Sequence, residues 1–344
     1  MARARDHGAG ATLAAVLALA LGAAAPANAA PALRDLDGTT ERDSYTKVTR
    51  SAFFDGRMAE LDGMGQRARD GKERFDDGTW KLATFYWVFR DAGRSRDDSD
   101  AAVLRANLDR WRTELPDSPI AHIALGEFVL GTAFHARGGK FAAQVPEENW
   151  APFRARVKQA RQILEDAPPA AKKCPGWYHA MLQVLRADGS ATRDEATRIF
   201  EAGLALDPSY HALYWARVEA LQPRWGGSFA ALRELAERAR TAGAATEGKS
   251  LYARVVWSAL QFEGQDRLSD GTFEWPPLRD GFRDLVSRTP SSARNRQAFA
   301  RYACVAGDRA TTAERLRGVG DGWYSDVWQD ADQFTKCRSL ARGA

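Results

Sequence analysis

The chain has 344 residues, 44% hydrophobic and 27% charged, a balance that excludes a disordered polar chain and supplies ample apolar side chains for a core. A formal charge of +4, with acids and bases evenly mixed, excludes the basic footprint of a nucleic-acid binder. Eleven tryptophans are many for this length, and such side chains fill gaps between helices or line binding grooves.

The first element reads as an export signal. Arg3 and Arg5 make a basic start, residues 11–25 an apolar run, and Ala27, Asn28 and Ala29 a small-x-small cleavage pattern, so Ala30 is the expected mature start. A membrane span needs roughly 20 apolar residues. This run is shorter, and no later stretch is apolar enough, so no integral membrane segment is expected after removal of residues 1–29. No cysteine follows the run, which argues against a lipid anchor. Cleavage removes Arg3, Arg5 and Asp6 and lowers the formal charge from +4 to +3. The expected product is exported, periplasmic or secreted, with residues 30–41 as a flexible N-terminus.

Beyond that point period-two alternation is nearly absent while i, i+3, i+4 spacing recurs, which predicts an all-α fold. In chain order, helices are expected near 42–55, 57–70, 80–92, 99–114, 119–137, 147–165, 176–187, 191–206, 209–221, 228–242, 248–262, 277–288, 293–306, 309–317 and 331–341. Gly, Pro and Asp punctuate them, as in LPDSP (115–119), LDPSY (206–210), RTPSS (288–292) and GDRAT (307–311). Connections this short join antiparallel neighbours. One helical-repeat-like domain is expected over 42–344, with a soft boundary near 168–175.

Helix 119–137 is apolar almost all round and is expected to be central. Glu127 lies on one flank between Ile123 and Phe134, and His135 ends the helix before Arg137-Gly138-Gly139-Lys140. Cys174 sits beside Lys172 and Lys173, a setting that lowers a thiol pKa if the thiol is accessible. The alternative is an inert thiol. His179 shares a helix face with Gln183 and Arg186 that is expected to be solvated.

Residues 194–221 (DEATRIFEAGLALDPSYHALYWARVEAL) carry a repeat signature, with degenerate relatives at 111–125 and 282–300. The pattern resembles the second helix of one tetratricopeptide repeat running into the first helix of the next. Each hairpin of such an array buries its apolar face only against its neighbours. On the 210–221 wheel His211 falls inside the apolar arc of Tyr210, Tyr214, Trp215 and Val218, and Arg217 falls on its flank beside Leu213. A buried His or Arg needs a partner, because leaving it unsatisfied is costly. Two readings stay open. Either each makes a structural bond to a neighbouring helix, with Glu127 as the candidate partner of Arg217, or Arg217 and His211 face a groove and hold an anionic group. Trp215, Trp225, Tyr252 and Trp257 either pack or stack on a ligand, and Trp225 in PRWGGS (223–228) is the tryptophan expected to be exposed. Near the C-terminus Cys304 and Cys337 are a candidate disulfide that an oxidising compartment permits, adding about 3–4 kcal/mol on the chain-entropy model. The alternative is two small buried side chains.

Four pieces occur in order: DGTWKL (77–82), DSPIAHIALGEFVLGTAFHARGG (117–139), YHALYWARVEALQPRWGGS (210–228) and EGKSLYARVVWS (247–258). Together they resemble an uncharacterised bacterial family, domain of unknown function 4034, over roughly residues 45–340. The resemblance implies an α-helical, tetratricopeptide-like fold. It implies no reaction, cofactor or catalytic residue.

GAATEGKS (243–250) matches the phosphate-binding pattern G-x-x-x-x-G-K-[ST]. A phosphate loop, however, is delivered by a strand, and the preceding 228–242 carries a helical stripe of Phe229, Leu232, Leu235, Ala236 and Ala239. The octapeptide is therefore read as a turn. Gly243 is expected in the left-handed conformation that ends a helix, Thr246 as the cap of the next, and Lys249 in solvent. No nucleotide is expected despite the Gly243–Ser250 match, and no other cofactor. Ser44-Tyr45-Thr46-Lys47 fits S-x-x-K without its companion S-D-N and K-T-G elements. No zinc-ligand spacing occurs, so no metal is expected. The leading expectation is an exported module that binds a protein or peptide through a concave surface. The alternative is a cell-envelope hydrolase whose pocket gathers Glu127, His135, His211 and Arg217.

Overall fold

The computed structural model describes residues 32–33, 39–94, 98–264, 266–317 and 319–342. The expected export signal and its cleavage site lie outside them. The fold is all-α. The helices are α1 (Thr39–Phe54), α2 (Met58–Asp70), α3 (Lys81–Arg94), α4 (Asp98–Glu114), α5 (Pro119–Arg137), α6 (Glu147–Glu165), α7 (Pro175–Ala187), α8 (Arg193–Leu206) and α9 (Ala212–Ala220). They continue as α10 (Phe229–Ala242), α11 (Ala244–Glu247), α12 (Ser250–Glu263), α13 (Asp266–Ser269), α14 (Trp275–Arg288), α15 (Ala293–Val305), α16 (Arg309–Leu316) and α17 (Ala331–Arg342).

The punctuation sets the helix starts. Ser118, Thr192, Ser228, Ser292 and Asp308 each accept a hydrogen bond from the backbone N–H three residues on, satisfying a donor that the first turn leaves free. Within the 30–41 stretch, Ala32–Leu33 pairs in parallel with Trp323–Tyr324, and α1 already begins at Thr39.

Successive helices pack as hairpins: α5 on α6, α7 on α8, α10 on α12, α12 on α14 and α15 on α16. An inner row runs across them, α1 against α3, α3 against α7, α7 against α9 and α9 against α12. α5 is enclosed along most of its length, with Ile120, Ala121, Ile123, Ala124 and Leu125 all fully buried. Its crossing with α3 depends on two glycines. A Cβ at Gly131 would lie 2.2 Å from the Arg90 carbonyl oxygen, and one at Gly93 would lie 2.3 Å from that of Phe128. Residues 168–175 are part of the same packing, since Ala171 and Cys174 belong to the continuous core.

The array curls until its N-terminal third meets its C-terminal half. The Asp77 carbonyl accepts from Arg254 Nη2 (2.6 Å) and from Asn295 Nδ2 (3.0 Å), across 177 and 218 residues of chain. Arg74 pairs with Glu247 at 2.6 Å beside this contact. Cys304 and Cys337 form a disulfide between α15 and α17, with Cα atoms 5.8 Å apart.

The GAATEGKS segment differs from its sequence reading in detail. Gly243 is right-handed (φ −86°), because the chain does not leave the helix there but enters the extra turn α11. The reversal comes at Gly248 (φ 57°), and Thr246 lies inside α11 rather than capping α12. Lys249 stands exposed, as expected; its N–H donates to Asp284 Oδ2 (2.7 Å), and its ammonium pairs at the surface with Asp280 (2.8 Å). A carboxylate of α14 thus occupies the start of α12, where a phosphate would have to sit.

Candidate functional site

The inner helices leave a groove of about 810 Å³, within the range of sites that enclose small ligands or short segments. Its walls follow helical periodicity. From α12 come Arg254, Trp257, Ser258, Gln261 and Phe262, at i, i+3, i+4, i+7 and i+8, one face of a helix. Trp80, just before α3, and Ala83, Thr84 and Trp87 on it follow the same spacing, and α9 contributes Ala212, Trp215 and Glu219. Each inner helix therefore has two working faces. One is apolar and packed outward on its hairpin partner. The other is aromatic and charged, and it faces the groove.

The aromatic surface is partly uncovered. Trp87 is 47% exposed and Phe262 is 43% exposed, while Trp80, Trp215 and Trp257 are more deeply set. Trp80 is fixed from behind, its indole N–H donating to the Ser209 carbonyl (3.0 Å). Trp257 carries the Arg294 guanidinium 4.7 Å above its ring.

Five arginines line the groove, and four are matched to carboxylates. Arg42 donates to Asp77 at 2.8 Å, Arg50 to Asp91 at 2.6 Å and Arg294 to Asp326 at 2.6 Å. Arg90 binds Glu127 through Nε (2.5 Å) and Nη2 (2.8 Å), a two-point grip on a fully buried carboxylate. Of the acids in the wall, Glu219 is held by Arg186 at 3.2 Å. Asp43 stands exposed on α1.

Arg254 is different. It is buried and, among the described residues, the hydrogen bond of its side chain is to a carbonyl, that of Asp77. Among the described residues no carboxylate lies within ion-pair distance of it. Burial pushes its pKa down to about 10, against the partial support of Asp77 and Glu247 at longer range.

The groups behind the wall are strongly polarised. Burial alone would raise the Asp77 carboxyl, but Arg42 first and Arg254 next hold it well below the usual carboxylate range, aided by bonds from Thr79 N–H (2.9 Å) and Oγ1 (2.6 Å). Glu127 is likewise held at about 2 by Arg90, against its burial. His179 lies with Nδ1 3.6 Å from Glu127, beyond hydrogen-bond length, and burial lowers its pKa. His211 is buried against Trp215, with ring centroids 4.3 Å apart, and the Trp80 N–H points at its Nε2 from 3.5 Å. Burial, then Arg254 and Arg74, push its pKa far down, so this imidazole is neutral at physiological pH.

No family model, no curated protein and no solved structure matches the chain. What the site does is therefore read from its own geometry.

The sequence-selected residues are scattered. Glu127 and His211 lie behind the groove wall, but His135 is at the far end of α5, exposed, with Nδ1 3.0 Å from the Arg94 carbonyl oxygen. Arg217 is on the side of α9 that packs on α8, its guanidinium 5.7 Å above Phe200 and 3.4 Å from Thr197 Oγ1. The partner of Glu127 is Arg90, not Arg217, because α3 rather than α9 crosses α5 at that level. The pocket of Glu127, His135, His211 and Arg217 is not assembled. The face of His179 and Gln183 is not solvated either: it forms the α7 wall of the groove. Trp215 and Trp257 line the groove, Tyr252 lines a separate depression against α10, and Trp225, 56% exposed, lies outside both.

Cys174 is fully buried with its thiol pKa raised by that burial, so Lys172 and Lys173, both exposed, do not activate it. Ser44 and Lys47 are exposed on α1, away from any acyl-enzyme geometry. Sequence reading passed over Trp87, Asp77, Arg42 and Arg254. The signal for Arg254 was present: it is a lone charge inside LYARVVWSAL (251–260), an otherwise apolar helix.

Among the described residues no helix is long and apolar enough to cross a membrane. No three His, Cys, Asp or Glu side chains among them converge as metal ligands.

Proposed function

We propose that the mature chain is an exported binding module that takes an extended peptide segment of a partner protein into the central groove. The observation that carries this reading is the uncovered aromatic surface of Trp87 and Phe262 on a groove whose deeper walls are Trp215, Trp257 and arginine. Tryptophan and arginine are the residue types that dominate binding energy in protein interfaces, and here one tryptophan, Trp87, stands half exposed in a groove lined by arginines. Helical arrays present such concave surfaces to extended partners. The groove's polar lining also favours a peptide over a neutral glycan. Arg254, the groove arginine not matched to a carboxylate among the described residues, suits a carbonyl or carboxylate oxygen, and the groove's carboxylates are mostly engaged by arginines.

The test is selection from a displayed peptide library on the immobilised mature protein. Peptides should be enriched, and Trp87→Ala should weaken the selected peptides by at least about tenfold, the loss typical of an interface anchor. Trp87 is half exposed, so its removal leaves the core intact. Enrichment indifferent to Trp87, or binding of envelope glycans in place of peptides, would overturn the reading.

A further inference from the structure

The charges of the groove pair off almost completely. Arg42 is matched by Asp77, Arg50 by Asp91, Arg90 by Glu127, Arg294 by Asp326 and Arg186 by Glu219. Two charges are left over, and they differ in kind. Asp43 is exposed at the α1 rim, where water solvates it. Arg254 is buried, is part of the groove lining, and among the described residues its guanidinium is hydrogen-bonded to the Asp77 carbonyl. A buried guanidinium has five N–H donors, and burial without a counter-charge is costly.

The position is built. Arg254 is on α12 one turn before Trp257, and it is fixed by the 2.6 Å bond to Asp77 O. That carbonyl is itself held by Asn295 Nδ2 (3.0 Å), and the Asp77 carboxylate is occupied by Arg42 and Thr79. Asp77 therefore orients Arg254 through its main chain and leaves the guanidinium without a carboxylate in contact. An anion arriving in the groove meets a cation that is already placed and partly desolvated, in a groove that the indoles of Trp215 and Trp257 also line. A charge-assisted bond formed there is stronger than one in open water.

We propose that Arg254 is the specificity-determining anchor of the groove, and that it binds a carboxylate on the peptide ligand next to an apolar or aromatic residue seated on Trp215 and Trp257. The carboxylate belongs either to a free chain terminus or to an Asp or Glu side chain, and the experiment separates the two. This inference rests on the peptide-binding reading and adds the chemical class of the ligand.

The test uses peptides selected on the full mature protein and shown to need Trp87. Each is resynthesised with a C-terminal amide, and separately with its acidic side chains changed to Asn or Gln. One of the two changes should weaken binding about 10- to 100-fold, the range of a buried charge-assisted bond. Loss on amidation assigns the chain terminus, and loss on the side-chain change assigns Asp or Glu. In Arg254→Gln the same change should be nearly silent, and Arg254→Lys should restore part of the discrimination, closing a double-mutant cycle. If Arg254→Gln does not fold, judged by its helical circular dichroism, the peptide changes on the unaltered protein carry the test alone. Trp87-dependent peptides that bind equally well without any carboxylate would overturn this inference and leave the peptide reading standing. Failure to select any Trp87-dependent peptide would overturn both.

Discussion

The guanidinium of Arg254 donates to the backbone carbonyl of Asp77 at 2.6 Å, joining α12 to the turn that precedes α3 across 177 residues. The turn is built to be held this way. Asp77 accepts from the N–H and hydroxyl of Thr79 with one oxygen and from Arg42 with the other, so DGTW (77–80) is fixed as a knob before it meets α12 and α15. Asp77→Asn should therefore loosen the closure as well as remove the ion pairs with Arg42 (2.8 Å) and Arg294 (3.9 Å). Arg42 is partly exposed and can recover some solvation. The expected loss is about 2–3 kcal/mol, the range of a buried hydrogen bond to a charged group. Urea unfolding should show a lower midpoint, and an unchanged midpoint would mean that the closure does not depend on this carboxylate.

Acidification should act in two stages. His179 and His211 have folded pKa values below the ordinary value of about 6.5, so the unfolded chain binds protons that the folded one refuses. Their contribution is complete above that pH and is lost as pH falls below it. The groups facing His211 are Arg254, Arg74, Asp77 and Arg42, and the net field there opposes protonation. Asp77 and Glu127, with depressed carboxyl pKa values, contribute stability that is present above about 4 and lost as pH falls further. Melting temperature should fall slightly between pH 7 and 5 and steeply below 4, and His211→Gln should flatten the first limb.

Reducing the Cys304–Cys337 bridge, or changing both residues to Ser, should destabilise the protein by about 3–4 kcal/mol, since the bridge closes a loop of 33 residues. The groove is built mainly by α1, α3, α7, α9 and α12, and α15 reaches it through Arg294, at the opposite end of that helix from Cys304, so the proposed peptide binding should largely survive. Denaturant unfolding with and without reductant measures the difference.

Gly131→Ala should be far more damaging than its size suggests. The new methyl would meet the Arg90 carbonyl oxygen at 2.2 Å, so α3 must move away from α5. That movement pulls on the Arg90–Glu127 pair, whose carboxylate is fully buried. Overpacking of this kind costs about 1–3 kcal/mol, and a partly unpaired buried charge adds to it. Thermal unfolding should show the loss, and Gly139→Ala, with open space around it, is the control.

Magnesium-ATP should leave the melting temperature unchanged. Asp284 already accepts from the N–H of Lys249, the residue just before α12, and a second acid, Asp280, holds the lysine. Lys249→Ala removes an exposed pair and should cost no more than about 1 kcal/mol. A nucleotide-dependent shift in scanning calorimetry would contradict this reading.

The helices were legible in the sequence because periodicity and capping are local. LPDSP, RTPSS and GDRAT each supply the residue that starts the next helix, and the apolar wheel of 119–137 foretold an enclosed α5. The GAATEGKS segment shows the limit of such reading. It was recognisable as helix stop and start, yet the choice between Gly243 and Gly248 for the reversal was settled by an extra helical turn, Ala244–Glu247, which the sequence reading takes as linker although its alanines favour helix.

What the sequence determined by itself was the class of the fold, the order of its helices and the residues that break them, since each depends on neighbours within a turn or two. Which helix face meets which was decided only by tertiary packing. Arg217 and Glu127 each lie on a flank of an apolar arc, but the crossing of α3 over α5 gives Glu127 to Arg90, while α8 covers Arg217. The same holds for Arg254. Its oddity within an apolar helix is local, but its role depends on Asp77 arriving from the other end of the array with a carbonyl rather than a carboxylate. A wheel has no coordinate for the partner helix, and a charge becomes an anchor or a structural pair only once that partner is in place.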